Sequence, residues 1–85
     1  MTKVTVIILF FAQARELAKL NKTTLQVPQT LFVHELRSIL VEKYNLTTIG
    51  NIFILAVNEI YISDNLRITL QENDVLAVIP PISGG

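Results

Sequence analysis

Two stretches of the chain are almost continuously apolar, and they lie at opposite ends of it. Val4-Thr5-Val6-Ile7-Ile8-Leu9-Phe10 and Val75-Leu76-Ala77-Val78-Ile79 are rich in β-branched residues. Short runs of this kind predict strands covered on both faces at the centre of a sheet. From Ala12 the period changes. Ala14, Leu17 and Ala18 recur at helical spacing while Gln13, Arg15, Glu16 and Lys19 fill the opposite face, which predicts a short helix ending near Leu20-Asn21. Residues 23–27 read as a strand closed by Pro28. Thr30 is then the expected N-cap of a helix over residues 31–44, with Val33, Leu36 and Leu40 as its buried stripe. Residues 54–57 and 60–62 flank Asn58-Glu59, a polar pair suited to a tight hairpin although it lacks the glycine such turns prefer. Gln71-Glu72-Asn73-Asp74 makes a polar turn before the last strand.

About five strands and two helices fit an α+β domain, a mixed sheet with both helices over one face. The two apolar end strands are expected to be parallel neighbours at its centre. This divides the chain into a folded domain, residues 1–79, and a C-terminal segment, residues 80–85. Pro80-Pro81 cannot continue a central ladder and favours an extended conformation aimed away from the sheet. Beyond it, Gly84-Gly85 has no side chains, so the segment is expected to be a flexible arm thin enough to enter a narrow channel and present its carboxyl carbon.

Composition removes several classes of function. Half of the 85 residues are apolar and 16% are charged, which predicts a folded globule. Seven basic and seven acidic residues cancel, so no electrostatic footprint points to nucleic acid or an anionic membrane. The sequence has no cysteine, hence no disulfide framework, thiolate metal site or cysteine nucleophile. Any sulfur chemistry has to bring its sulfur from outside. The apolar run at residues 4–11 is too short to span a bilayer and no small-residue cleavage site follows it, so a cytoplasmic location is expected.

Three segments carry a family likeness over essentially the whole chain. Leu9-Phe10-Phe11-Ala12-Gln13-Ala14-Arg15-Glu16-Leu17, Ala56-Val57-Asn58 and Ile79-Pro80-Pro81-Ile82-Ser83-Gly84-Gly85 together resemble the small, sulfur-carrying subunits of molybdopterin synthases, the MoaD type. The resemblance implies a ubiquitin-like β-grasp fold. It also implies that an ATP-dependent partner adenylates Gly85 and that sulfur is then delivered to give a thiocarboxylate. ATP would be consumed by that partner, and this chain would bind no permanent cofactor. The loaded carrier would dock on the large subunit, in a heterotetramer of two small and two large chains. Its tail would enter the large subunit's pocket and give sulfur to cyclic pyranopterin monophosphate. Gly84 would keep the tail slim. Phe11, Tyr61 and Ile79 match the family's apolar docking patch, continued by Pro80, Pro81, Ile82 and Ser83, although the family often has an aromatic where this chain has Ile79. For Phe11, burial in the core is an equal alternative.

The remaining candidates read as structural. His34 is the lone histidine and is expected on a helix surface, without partners for a metal site. Glu16, Glu35, Glu42, Glu59 and Asp74 are scattered, with no spacing that compels acid–base chemistry. Asp64-Asn65 suits a turn, Arg15 matches the family's segment and fits an ordinary helix-surface charge equally well, and Ser83 lacks a His and Asp constellation to activate it. Two other functions share the diglycine: a thiamine-type sulfur carrier, usually shorter and without the Phe-Phe-Ala-Gln segment, and a ubiquitin-like modifier that joins target lysines. An interaction domain with an inert tail is the bland alternative.

Overall fold

The computed structural model describes residues 2–81. The order of elements is β1 (Lys3–Phe10), α1 (Ala12–Ala18), β2 (Lys22–Pro28), β3 (Thr30–Phe32), α2 (Val33–Tyr44), a 3₁₀ turn (Thr47–Ile49), β4 (Ile54–Val57), β5 (Ile60–Ile62), β6 (Arg67–Thr69) and β7 (Val75–Ile79). Five strands form one mixed sheet in the order β2-β1-β7-β4-β5. The apolar end strands are parallel neighbours, with Ile7 opposite Val75 and Phe10 opposite Val78, as expected. All other pairs in the sheet are antiparallel.

Side-chain alternation decides what this sheet packs against. Val4, Val6, Ile8 and Phe10 of β1 are buried, whereas Thr5, Ile7 and Leu9 are half-buried on the other side. In β7, Leu76 and Val78 are buried while Val75, Ala77 and Ile79 are half-buried. The expectation that both faces of these strands are covered is therefore corrected. One face meets Val33, Leu36 and Leu40 of α2 together with Ala14, Leu46, Ile49, Phe53 and Leu70 in a single core. Each of these large side chains contributes about 1.5–3 kcal/mol through burial. Both α1 and α2 pack into that core, so among the described residues no helix lies over the other face, and the uninterrupted apolar runs record one core face and one open apolar face.

The start of α2 also differs from the sequence reading. Thr30 and Leu31 belong to β3, which pairs with β6 through Thr30–Thr69, Leu31–Ile68 and Phe32–Arg67. The Thr30 hydroxyl lies 3.3 Å from that of Thr69 instead of capping the helix. The first helical N–H groups are satisfied from the loop after β5. Val33 N–H donates to the Leu66 carbonyl at 2.9 Å and His34 N–H to the Asp64 carbonyl at 3.0 Å. At Phe32, the N-cap position, the N–H donates to the Glu35 carboxylate at 2.9 Å. Arg37 fastens the same loop: its guanidinium donates to Asp64 Oδ1 at 3.0 and 3.1 Å and to the Gly50 carbonyl at 3.1 Å. It also lies 4.3 Å above the Phe53 ring, so a mostly buried cation has three of its N–H donors and its planar face engaged. At the other end of α2, Tyr44 meets Phe10 edge to face at 5.0 Å, and burial pushes its phenol above the ordinary pKa of 10.0.

Candidate functional site

The open face of the sheet has a regular row of side chains. Leu9, Ala77, Ala56 and Tyr61 are successive cross-strand partners in β1, β7, β4 and β5. With strands spaced about 4.8 Å apart, the row runs roughly 14 Å across the sheet. Ala56 is only 2% exposed although it does not belong to the core cluster, so it forms a floor with larger neighbours around it. Leu9, Phe11, Ala56, Glu59, Tyr61, Val75, Ala77 and Ile79 enclose a depression of about 260 Å³.

Two backbone devices position the walls. Phe11 continues the extended conformation of β1, with φ −116° and ψ 148°, and its N–H donates to the Val78 carbonyl at 3.2 Å. Alternation therefore sends Phe10 into the core and Phe11 to the open face, where it is 40% exposed. Ala12 follows with φ 49°, a left-handed kink that turns the chain into α1. The second device is the β4–β5 hairpin. Asn58 and Glu59 have φ of 49° and 72°, both in the left-handed region that a two-residue turn requires. Asn58 ties the turn to β7: its Oδ1 accepts from Val75 N–H at 2.9 Å, and its Nδ2 donates to Asp74 Oδ1 at 3.0 Å. The hairpin carries Tyr61 to the sheet edge at 72% exposure.

Phe11, Tyr61 and Ile79, singled out from the sequence, thus line one depression, and Phe11 lies outside the core. The sequence reading did not single out Leu9, Val75 and Ala77, which share their face; the signal available was the i−2 spacing back from Phe11 and Ile79. It had also left Glu59 among the scattered carboxylates. Pro80 is buried and Pro81 is exposed at the end of β7. Ile82, Ser83, Gly84 and Gly85 lie outside the described residues. His34 stacks on Phe32 at 5.3 Å on the first turn of α2, and neither residue lines the depression. Among the described residues no helix is long and apolar enough to cross a membrane, and no group of three or more histidine or carboxylate side chains is placed to hold a metal ion.

The sequence profile of the ThiS family matches residues 8–85, which include the depression and the C-terminal segment. The chain belongs to the ThiS family. Among curated relatives, the molybdopterin synthase sulfur carrier subunit of Drosophila melanogaster is 51% identical over 84 residues, covering 96% of this chain and 92% of the relative. The protein of the same name in Anopheles gambiae is 46% identical, with 96% and 93% covered. Among solved structures, a chain from the protein–protein complex of subunits 1 and 2 of the Helicobacter pylori molybdopterin-converting factor matches with a TM-score of 0.69. It is 29% identical, and the match covers 96% of this chain and all of that one, 100%. The small archaeal modifier protein 1 of Methanosarcina acetivorans superposes with a TM-score of 0.76 and complete coverage, 100% of each chain, at 20% identity, a likeness of fold alone. This ThiS-family chain therefore has the expected β-grasp architecture, with the open apolar face beside the strand that leads into Pro80-Pro81.

Proposed function

We propose that this chain is the sulfur-carrying small subunit of a molybdopterin synthase. The observation that carries the reading is the 51% identity, over nearly the full length of both chains, to a relative bearing that name. The apolar depression at the base of the C-terminal segment supports it, because a carrier that offers its terminus to partners needs an adjacent surface to dock by.

The chemistry begins with a carboxylate, a poor acyl donor because neither oxygen leaves readily. A partner enzyme joins the Gly85 carboxylate to the adenylyl group of ATP and releases pyrophosphate. Hydrosulfide delivered by a partner then attacks the activated carbonyl, AMP departs, and a thiocarboxylate remains on Gly85. Docked on the large subunit through Phe11, Tyr61, Ile79 and the segment from Pro80 to Ser83, the chain places this sulfur beside cyclic pyranopterin monophosphate. Sulfur moves to the precursor, water supplies the oxygen that restores the carboxylate, and a second loaded chain supplies the second sulfur of the dithiolene. Gly84 and Gly85 keep the arm narrow. The large subunit provides the catalytic side chains, two small and two large chains assemble, and the cycle runs in the cytoplasm without a cofactor resident on this chain.

Intact mass of the protein from its own cells tests the reading. The expected species has one terminal oxygen replaced by sulfur, loses it on incubation with large subunit and precursor, and yields one molybdopterin per two chains. Transfer of that sulfur only to a thiamine precursor assigns the thiamine-type carrier instead. Isopeptide bonds from Gly85 to lysines, with no sulfur-bearing species, assign a protein modifier.

A further inference from the structure

Glu59 stands apart from the rest of the open face. Among the described residues it contributes the one charged side chain to the wall of an otherwise apolar depression. Its carboxylate has no intramolecular partner there: the ion pair among the described residues is Arg37–Asp64, and no side-chain hydrogen bond involves Glu59. The register gives the nearest cation in the same row as Lys22, the partner of Leu9 in β2. Four strand spacings separate Lys22 from Tyr61, roughly 19 Å, about twice the screening length at physiological salt. With Lys22 on the opposite edge strand from β5 and no ion pair or side-chain hydrogen bond to Glu59 among the described residues, the Glu59 charge has no compensating partner there.

The backbone is the second observation. Glu59 holds φ 72° at the turn position where glycine fits without steric conflict. A non-glycine residue held in this conformation costs stability, which points to a role for its side chain. Here the strained position brings a carboxylate to the edge of an apolar recess next to Tyr61. A partner covering that recess removes water from the carboxylate, which is unfavourable unless the partner supplies a cation. An unmatched charge also acts against partners that are merely apolar.

We propose that Glu59 is a specificity determinant of this face: it selects, on the large subunit, an apolar projection flanked by a lysine or arginine. The inference rests on the sulfur-carrier reading and goes beyond it by naming the chemistry the partner surface must present. The apolar projection fills the depression over Ala56, and the cation meets Glu59 at its edge.

The test is binding of the full-length chain to the large subunit of its own synthase, measured at low and high salt. Wild-type affinity is expected to fall as salt rises. Glu59→Gln and Glu59→Asn are expected to bind about fivefold more weakly at low salt and to lose most of the salt dependence. Their agreement separates charge from turn geometry, since asparagine accepts the left-handed conformation more readily than glutamine. Glu59→Lys, which sets like charges face to face, is expected to lose about tenfold or more. If Glu59→Gln and Glu59→Lys bind like wild type at both salt concentrations while Tyr61→Ala binds more weakly, Glu59 has no selective role and the carrier reading stands. Failure of the wild-type chain to bind the large subunit removes both.

Discussion

At Asn58 a single side chain secures the hairpin that carries Tyr61. Its amide receives one backbone N–H from β7 and donates to Asp74, while its own N–H donates to the Val75 carbonyl at 2.8 Å. Alanine removes both side-chain bonds and keeps the left-handed strain, so Asn58→Ala is expected to lower stability by about 1–2 kcal/mol, measured as the urea midpoint. The next residue behaves in the opposite way. Glu59 has φ 72°, and glycine would relieve roughly 1–2 kcal/mol of left-handed strain against about 0.5–1 kcal/mol of added chain entropy in the unfolded state. Glu59→Gly is therefore expected to raise stability by about 0.5–1 kcal/mol while weakening the docking assigned to the carboxylate. A variant with an unchanged or lower urea midpoint would show that the turn relaxes without strain relief. Stability and recognition thus pull this position in opposite directions.

Among the elements, the loop from Ser63 to Leu66 has a role out of proportion to its length, because it caps α2 and receives Arg37. The Arg37–Asp64 pair is unequal: the arginine side chain is 14% exposed and the aspartate 54%. Asp64→Asn keeps an acceptor and loses a well-solvated charge, so it is expected to cost less than about 1 kcal/mol. Arg37→Ala loses the Gly50 bond and the packing on Phe53 as well, and about 1–3 kcal/mol is expected in thermal or urea unfolding. Equal costs for the two variants would mean that the ion pair, and not the buried stem, is what matters. None of this was legible in the sequence, where Asp64-Asn65 reads as an ordinary turn and Arg37 sits 27 residues away. The long elements were legible because their periods are sustained: β1, β7 and the stripe Val33, Leu36 and Leu40 all appear where the pattern puts them. β3 and β6 have three residues each, too few to establish a period, and Thr30 resembles a cap because the strand it joins has no signal of its own. Apolarity on both sides of β1 cannot distinguish a second covering layer from an open apolar face. Only the arrangement of α1 and α2 on one side separates them.

For the whole molecule, the proposed division between an apolar docking face and a reacting terminus sets what a change at the terminus is expected to do. The core cluster and the depression are built from described residues between Val4 and Ile79, and Pro80-Pro81 follow at the end of β7. Surface substitutions remote from packing usually change stability by less than about 0.5 kcal/mol, so Gly85→Ala is expected to leave the urea midpoint in place. Its affinity for the large subunit is expected to stay near wild type, because Phe11, Tyr61 and Ile79 are unaltered. On the proposed mechanism, the added Cβ restricts φ beside the reacting carbonyl and adds bulk where sulfur must approach the precursor. Misplacement of reacting atoms by about 1 Å can cost on the order of 10²-fold, and a loss of that order is expected in single-turnover sulfur transfer from the loaded variant. The measurement should start from chains already bearing the thiocarboxylate, since poor activation by the adenylating partner would otherwise mimic slow transfer. Wild-type transfer rates from a loaded Gly85→Ala chain would show that the terminal glycine is not required for threading. A reduced rate accompanied by an equal fall in affinity would place the defect in docking, against the division between face and arm.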